Sequence, residues 1–207
     1  MLFRSFTPAS TTTYTVTGTD GNGCTNTATS TVTVNPVTTI SAQSTAAQTV
    51  CVNGSFSALS VTAAGTGTLT YQWYSNTTAS NSNGTSLGAS AQAATYTPSS
   101  ASAGTTYYYC IVTGTCGSAT SAVSGAMVVN PLPTASVSAA TSSICSGNTA
   151  TFTITGTANA IVSYTLNGTS STVTLTGGTA TVTVSNATSN QVLTLVSVNN
   201  TTTSCTQ

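Results

Sequence analysis

The chain reads as an all-β protein, and three observations carry that reading. Threonine and serine fill roughly four positions in ten of the 207, far above ordinary usage. Apolar residues alternate with threonine over long stretches, and a period of two is the pattern of a strand with one wet face. Proline is scarce, at five residues, which separates the chain from a disordered, proline-rich Ser/Thr stalk.

The elements follow in order. In Tyr14–Thr19, Tyr14 and Val16 share one face while Thr13, Thr15 and Thr17 take the other. In Thr27–Val34, Ala28, Val32 and Val34 oppose Thr27, Thr29, Thr31 and Thr33. Between them Thr19-Asp20-Gly21-Asn22-Gly23 supplies hairpin turn chemistry. Further on, Ala150, Phe152 and Ile154 alternate with threonine, as do Ala180, Val182 and Val184. Gly177-Gly178 joins two such runs as a second expected hairpin.

Repeats set the boundaries. Thr33-Val34-Asn35-Pro36 returns as Val128-Val129-Asn130-Pro131, with the two prolines 95 positions apart. A Cys–Gly element follows each joint: Cys51-Val52-Asn53-Gly54, then Cys145-Ser146-Gly147. A third landmark is a cysteine after a strand, at Cys24, Cys116 and Cys205. The phase predicts three pieces. Residues 1–36 are the C-terminal strands of a truncated repeat, 37–131 a complete one, and 132–207 one lacking its last strand. A slice cut out of phase from a tandem array accounts for all three. Met1-Leu2-Phe3-Arg4-Ser5 departs from the composition that follows, and reads either as an assembly scar or as a natural basic start.

The middle repeat carries diagnostic residues. Tyr71-Gln72-Trp73-Tyr74 looks like strand C of an immunoglobulin-like domain, with Tyr71 and Trp73 inward. Tyr108-Tyr109-Cys110 looks like the start of strand F, where a Tyr two residues before a Cys makes the tyrosine corner. With Thr12-Thr13-Tyr14-Thr15-Val16-Thr17, Gly21-Asn22-Gly23-Cys24, the two Val-Asn-Pro joints and Cys116-Gly117-Ser118, the chain resembles the immunoglobulin-like and PKD-like repeats of large surface proteins of gliding bacteria exported by the type IX route. The resemblance covers nearly everything after Phe6. It implies tandem immunoglobulin-like β-sandwich repeats in a secreted, modular, often very long protein, such as an adhesin or a gliding-motility protein.

Six cysteines stand at 24, 51, 110, 116, 145 and 205, without a C-x-x-C pair. Long spacings suit disulfides formed in an oxidising compartment, so an extracellular, cell-surface location is expected. Because Cys51 and Cys145 occupy matching positions, their partners are expected to match, which favours Cys51–Cys116 and Cys145–Cys205. Cys24 is then left without a partner. Cys110 reads as a buried core thiol, as the mate of Cys51 in a competing pairing, or as a reactive thiol.

The charge count narrows function. One Lys/Arg, one Asp/Glu and no His are present. General acid–base catalysis and triad-type nucleophiles lack a base. Histidine-built zinc sites and carboxylate cages lack ligands. Phosphate neutralisation on nucleic acid lacks cations. No enzyme, cofactor, metal, nucleic-acid partner or membrane span is therefore expected in this segment.

Four classes of function remain to compare. Catalysis has no equipment. Glycan binding would use Tyr74, Tyr107 and Tyr109 as an outward aromatic surface, with Tyr71, Trp73 and Tyr108 in the core, and would make the chain an accessory module of a secreted enzyme. Ice binding would use the alternate threonines, but sheet twist spoils a long flat array. A structural or adhesive repeat suits the 95-residue period, the short Asn-Pro joints and the disulfides, and its partners would be surface polysaccharide or other repeats of the same protein. The lack of charge favours assembly. Asn-x-Ser/Thr sequons at Asn53, Asn76, Asn83, Asn167, Asn186, Asn199 and Asn200 are a weak glycosylation signal in so Ser/Thr/Asn-rich a chain. Strand donation is one route to assembly: Thr25–Val34 of one copy would complete the last repeat of another. With so few titrating groups, stability is expected to stay level between roughly pH 4 and 8.

Overall fold

In the computed structural model residues 6–207 are described; Met1–Ser5, and with them Arg4 and the question of a scar, lie outside. The described residues form an all-β, immunoglobulin-like β-sandwich fold. None of their helices is long and apolar enough to cross a membrane. They divide into two compact units. The first takes in the residues up to Ala47, Ala58–Pro98 and Thr106–Ala126; the second takes in Gln48–Ser57, Ser99–Thr105 and Met127–Gln207.

In the first unit β1 (Thr12–Thr19) and β2 (Thr25–Val32) pair as the expected hairpin. Val16 faces Ala28 and Thr12 faces Val32 across the ladder. The turn is organised by Asp20, whose Oδ1 accepts from the Asn22 and Cys24 N–H groups at 2.9 and 2.8 Å. The apolar face of the hairpin is nonetheless open to solvent, with Val16 68% and Val32 44% exposed.

The remaining strands of this unit make two sheets. One contains β3 (Thr39–Gln43), β5 (Leu59–Ala64) and β8 (Thr95–Tyr96). In the other, β6 (Thr70–Asn76) pairs with β7 (Thr85–Ser86) and with β9 (Gly104–Gly114), which also pairs with β10 (Gly117–Thr120). The core is Leu59, Val61, Trp73, Ala91, Tyr108, Tyr109, Cys110 and Val112. Trp73 satisfies its indole N–H on the Ala93 carbonyl at 2.9 Å. Its ring lies 6.0 Å from Tyr96, which lies 5.5 Å from Tyr108. Such pairs add about 1 kcal/mol each beyond area burial.

After β10 the chain bulges. Ser121 and Ser124 donate their N–H groups to the carbonyls of Cys110 and Tyr108, and their buried hydroxyls accept from the N–H groups of the same two residues at 2.9 and 3.0 Å. Three residues on the returning segment span two on β9, which is the count of a β-bulge. The serine side chains take over ladder bonds that the extra residue would otherwise break.

In the second unit β4 (Gln48–Cys51) runs parallel to β11 (Met127–Asn130). A three-stranded sheet contains β12 (Ala135–Ala139), β13 (Ala150–Gly156) and β16 (Thr179–Val184). Facing it is a sheet with the order β15 (Thr169–Thr174), β14 (Ile161–Leu166), β17 (Leu193–Asn200), β18 (Cys205–Thr206). Ile154, Val162, Tyr164, Leu175, Val182 and Val198 are buried between them. The expected alternation holds: Phe152 pairs with Val182 and Ile154 with Ala180, so the four share the inner face.

The second hairpin takes a different form from the one expected. Gly177 and Gly178 do turn the chain, at φ 63° and 90°, a conformation that glycine adopts without strain. Only Thr176 and Thr179 bridge across the turn. β15 then belongs to one sheet and β16 to the other, so the turn is a corner between layers. A fully apolar residue, Leu175, is buried at that corner and pulls the chain across the core.

Candidate functional site

The cysteines are paired differently from the sequence expectation. Cys51 is bonded to Cys205, across 154 residues, with the two Cα atoms 5.7 Å apart. Cys116 and Cys145 are free, so neither Cys51–Cys116 nor Cys145–Cys205 forms. The physical reason lies in how the second unit is built. Residues 48–57 belong to the same compact body as 127–207, which brings the end of β4 to the start of β18. Cys51 and Cys145, at matching positions in the sequence, differ in role: one is bonded and the other is free.

Two side-chain pairs anchor the Cys51 region within that unit. Gln48 Oε1 accepts from the Ser57 N–H at 2.8 Å, and Gln48 Nε2 donates to the Ser57 carbonyl at 3.1 Å. The Ser100 hydroxyl donates to the Gly54 carbonyl. These bonds hold the Cys51 region in addition to the disulfide.

Cys110 is free and fully buried. The Cys51–Cys110 pairing does not form. Burial pushes its thiol up to about 11 from an ordinary 9.0, outweighing the backbone N–H of Gln72 that favours the thiolate. A thiol held neutral in this way is a poor nucleophile. Cys110 acts as a small apolar core residue against Trp73, its cross-strand partner.

The aromatic surface splits. Trp73 and Tyr108 are core, as expected. Tyr109, expected outward, is 3% exposed. It stacks on Tyr74 with centroids 5.1 Å apart and planes 8° from parallel, and its hydroxyl accepts from the Gly84 N–H at 3.1 Å. The segment 77–86 covers that face of the sheet, tied down by Asn81 Nδ2 donating to the Ser121 carbonyl at 2.9 Å. Strand alternation alone would turn Tyr109 to solvent; the covering loop turns it into core. Tyr71, expected in the core, is only half-buried, as are Tyr74 and Tyr107. A shallow hollow of about 370 Å³ is lined by Tyr71, Gln72, Tyr74, Gln92 and Thr113. Gln92 donates to Gln72 at 3.2 Å across it.

Sequence reasoning missed Ser121 and Ser124. Their i, i+3 spacing breaks the period of two, and this is the available signal of a bulge. Among the described residues no group of three or more His, Cys, Asp or Glu stands together.

Residues 40–131 match the model of a family described as Domain of unknown function (DUF8696). A search of curated proteins found no match. Among solved structures, the I-band fragment I67-I69 from titin is similar, with a TM-score of 0.52 at 14% identity, over 86% of this chain and 65% of the titin fragment. The N-terminal four Ig domains of Dscam1 isoform 8.4 align at a TM-score of 0.39 and 15% identity, over 89% of this chain and 50% of that one. This chain thus spans less than two thirds of either. At such identity the titin likeness establishes the immunoglobulin-like fold and nothing further.

Proposed function

We propose that the chain is a non-catalytic structural or adhesive repeat segment of a large extracellular, cell-surface protein. The observation that supports this reading is the Cys51–Cys205 bond; with repeats at 37–131 and 132–207, as we propose, it links one repeat to the next. A bond between successive repeats stiffens an array against bending and pulling. It needs an oxidising compartment to persist, which supports an extracellular location. The family match at 40–131 lies inside the proposed middle repeat and supports that boundary. The resemblance to surface proteins of gliding bacteria supports the finer expectation of type IX export.

Stretching single molecules held by their two ends tests the mechanical role. The disulfide takes 154 residues out of the extensible path. Reduction is expected to lengthen the fully extended chain by roughly 500 Å, at about 3.4 Å per residue. Equal extension with and without reductant would refute the fastening role.

A second reading, a glycan-binding accessory module of a secreted enzyme, draws on the hollow with Tyr71, Tyr74, Gln72 and Gln92. Aromatic faces beside amides suit a sugar ring. A polysaccharide pull-down in which Tyr71→Ala and Tyr74→Ala abolish retention would favour it over the structural reading.

A further inference from the structure

The outer face of the β12–β13–β16 sheet is a grid of hydroxyls. Val137, Ile154 and Ala180 lie in one row across the three strands, with Phe152 and Val182 in the next, and these take the inner face. The residues that alternate with them are all serine or threonine. Ser138, Thr153 and Thr181 form one outer row. Ser136, Thr155 and Thr179 form the next, and Thr151 with Thr183 a third. Neighbouring strands stand about 4.8 Å apart, and alternate residues along a strand about 6.8 Å apart. Those two intervals set the grid.

The grid is held rigidly. β13 is paired along both edges, and neither ladder shifts register. Beneath it Ile154 is fully buried and Val182 nearly so. Threonine is β-branched and stiff at χ1, so each one holds a hydroxyl and a methyl in fixed directions. Thr151 and Thr153 are half-buried, and the other members of the grid are exposed. The Ser136 hydroxyl meets that of Thr155 at 2.9 Å, a contact within the grid itself. Among the described residues the remaining hydroxyls have no side-chain partner, so they are left to water.

The first unit has no such face. Its β3–β5 ladder shifts register between Ile40 and Ala42, β8 is two residues long, and the Ser60 hydroxyl is spent on Ser44 at 3.2 Å. The regular grid is therefore particular to the second unit. A preference of threonine for strands acts equally on both units.

The grid carries neither a charge to hold an ion nor a ring to stack on a sugar. It can order water. Fixed hydroxyls anchor a first layer of waters, and the methyl groups between them leave those waters to bond to one another. The two intervals of the grid lie close to those at which water recurs on a prism face of ice. A water layer already spaced in this way joins a crystal with little further ordering, which is the advantage of any preorganised surface.

We propose that the Ser/Thr face of β12, β13 and β16 binds ice, with Thr153 and Thr181 at its centre. Twist limits the contact. Neighbouring strands rotate by about 20–25°, which confines the matching area to these three strands. A patch of that size slows recrystallisation without halting ice growth. The inference goes beyond the structural role proposed above and does not depend on the fastening by Cys51–Cys205.

The test freezes a dilute solution of the full chain slowly onto a cold probe. The share taken up by the ice is compared with that of a non-binding globular protein of similar size. Enrichment in the ice is expected. T153Y and T181Y keep a strand-forming side chain but stand too tall for flat contact. Each is expected to lower uptake about tenfold or more, equivalent to ~1.4 kcal/mol. The double variant T153V/T181V keeps the volume and loses two central hydroxyls, so it reads the face even where a tyrosine variant fails to fold; it is expected to lower uptake several-fold. T62Y, on the exposed side of β5 in the first unit, is expected to change nothing. Circular dichroism and Tm accompany each variant. Uptake no greater than that of the comparison protein overturns the proposal. Uptake that every folded variant leaves unchanged, or that T62Y lowers as much as T153Y does, overturns it as well. Retention on insoluble cellulose or chitin that T153Y abolishes, without enrichment in ice, overturns it and assigns the face to a polysaccharide. Each of these results leaves the structural role standing.

Discussion

Cys51 and Cys205 join the end of β4 to the start of β18, bridging 154 residues of sequence within one compact unit. The chain-entropy model assigns about 5 kcal/mol to closing a loop of that length. Cys205→Ser is expected to destabilise the second unit by several kcal/mol, and Cys51→Ser by the same amount. The double variant is expected to match either single one, because both remove one bond. Denaturant unfolding with and without reductant measures this; additive losses in the double variant would mean the cysteines act separately.

Much of this arrangement is legible in the sequence, and its limits are instructive. Phe152, Ile154, Ala180 and Val182 reach the inner face because a period of two fixes faces whatever the tertiary context. The Asp20 turn forms because its chemistry is local. The Cys51 partner is not legible, because repeat symmetry equates positions but is silent on whether a bond stays within a repeat or crosses to the next. Tyr109 escapes the alternation rule because its burial depends on residues 77–86, which carry no periodic signal. The open apolar face of β1 and β2 has the same root: alternation identifies a face, and only a partner makes that face interior.

Gly84 lies against Tyr109 so closely that a side chain has no room. A Cβ there would stand 2.7 Å from the Ser75 carbonyl oxygen and 2.8 Å from the Tyr109 ring. Gly84→Ala is expected to cost about 1–3 kcal/mol, the range for overpacking. Tyr109→Phe removes the acceptor for the Gly84 N–H and is expected to cost about 1 kcal/mol. Thermal unfolding of both variants reads this out. A neutral Gly84→Ala would place the 77–86 segment away from the sheet.

Ser121 and Ser124 accept from the buried N–H groups of Cys110 and Tyr108. Alanine at either position leaves a donor without a partner, at an expected cost of about 1–3 kcal/mol each. Threonine keeps the hydroxyl, so Ser121→Thr separates the lost hydrogen bond from a generic core defect. Amide exchange at Cys110 and Tyr108 is expected to accelerate in the alanine variants. Unchanged protection there would show that the bulge is held by its backbone bonds alone.

Three wholly or partly buried groups make stability sensitive to alkaline pH. Burial raises the Cys110 thiol to about 11 from 9.0. Burial also raises the Tyr96 and Tyr108 phenols above 10.0, with the Tyr96 charge adding to the effect on Tyr108 against a weaker opposing hydrogen bond from Thr106. In each case the folded chain keeps a proton that the unfolded chain has lost. Stability from these groups is thus fully present below about pH 9 and falls as pH rises through about 11. The Cys110 share is at most on the order of 3 kcal/mol, because each tenfold change in proton affinity between the folded and unfolded chain is worth about 1.4 kcal/mol. Tm is expected to be level from about pH 5 to 8 and to fall steeply above about 9. Cys110→Ala is expected to lower Tm at neutral pH but to flatten the alkaline fall. A variant whose alkaline profile runs parallel to that of the parent chain would assign the fall to the tyrosines alone.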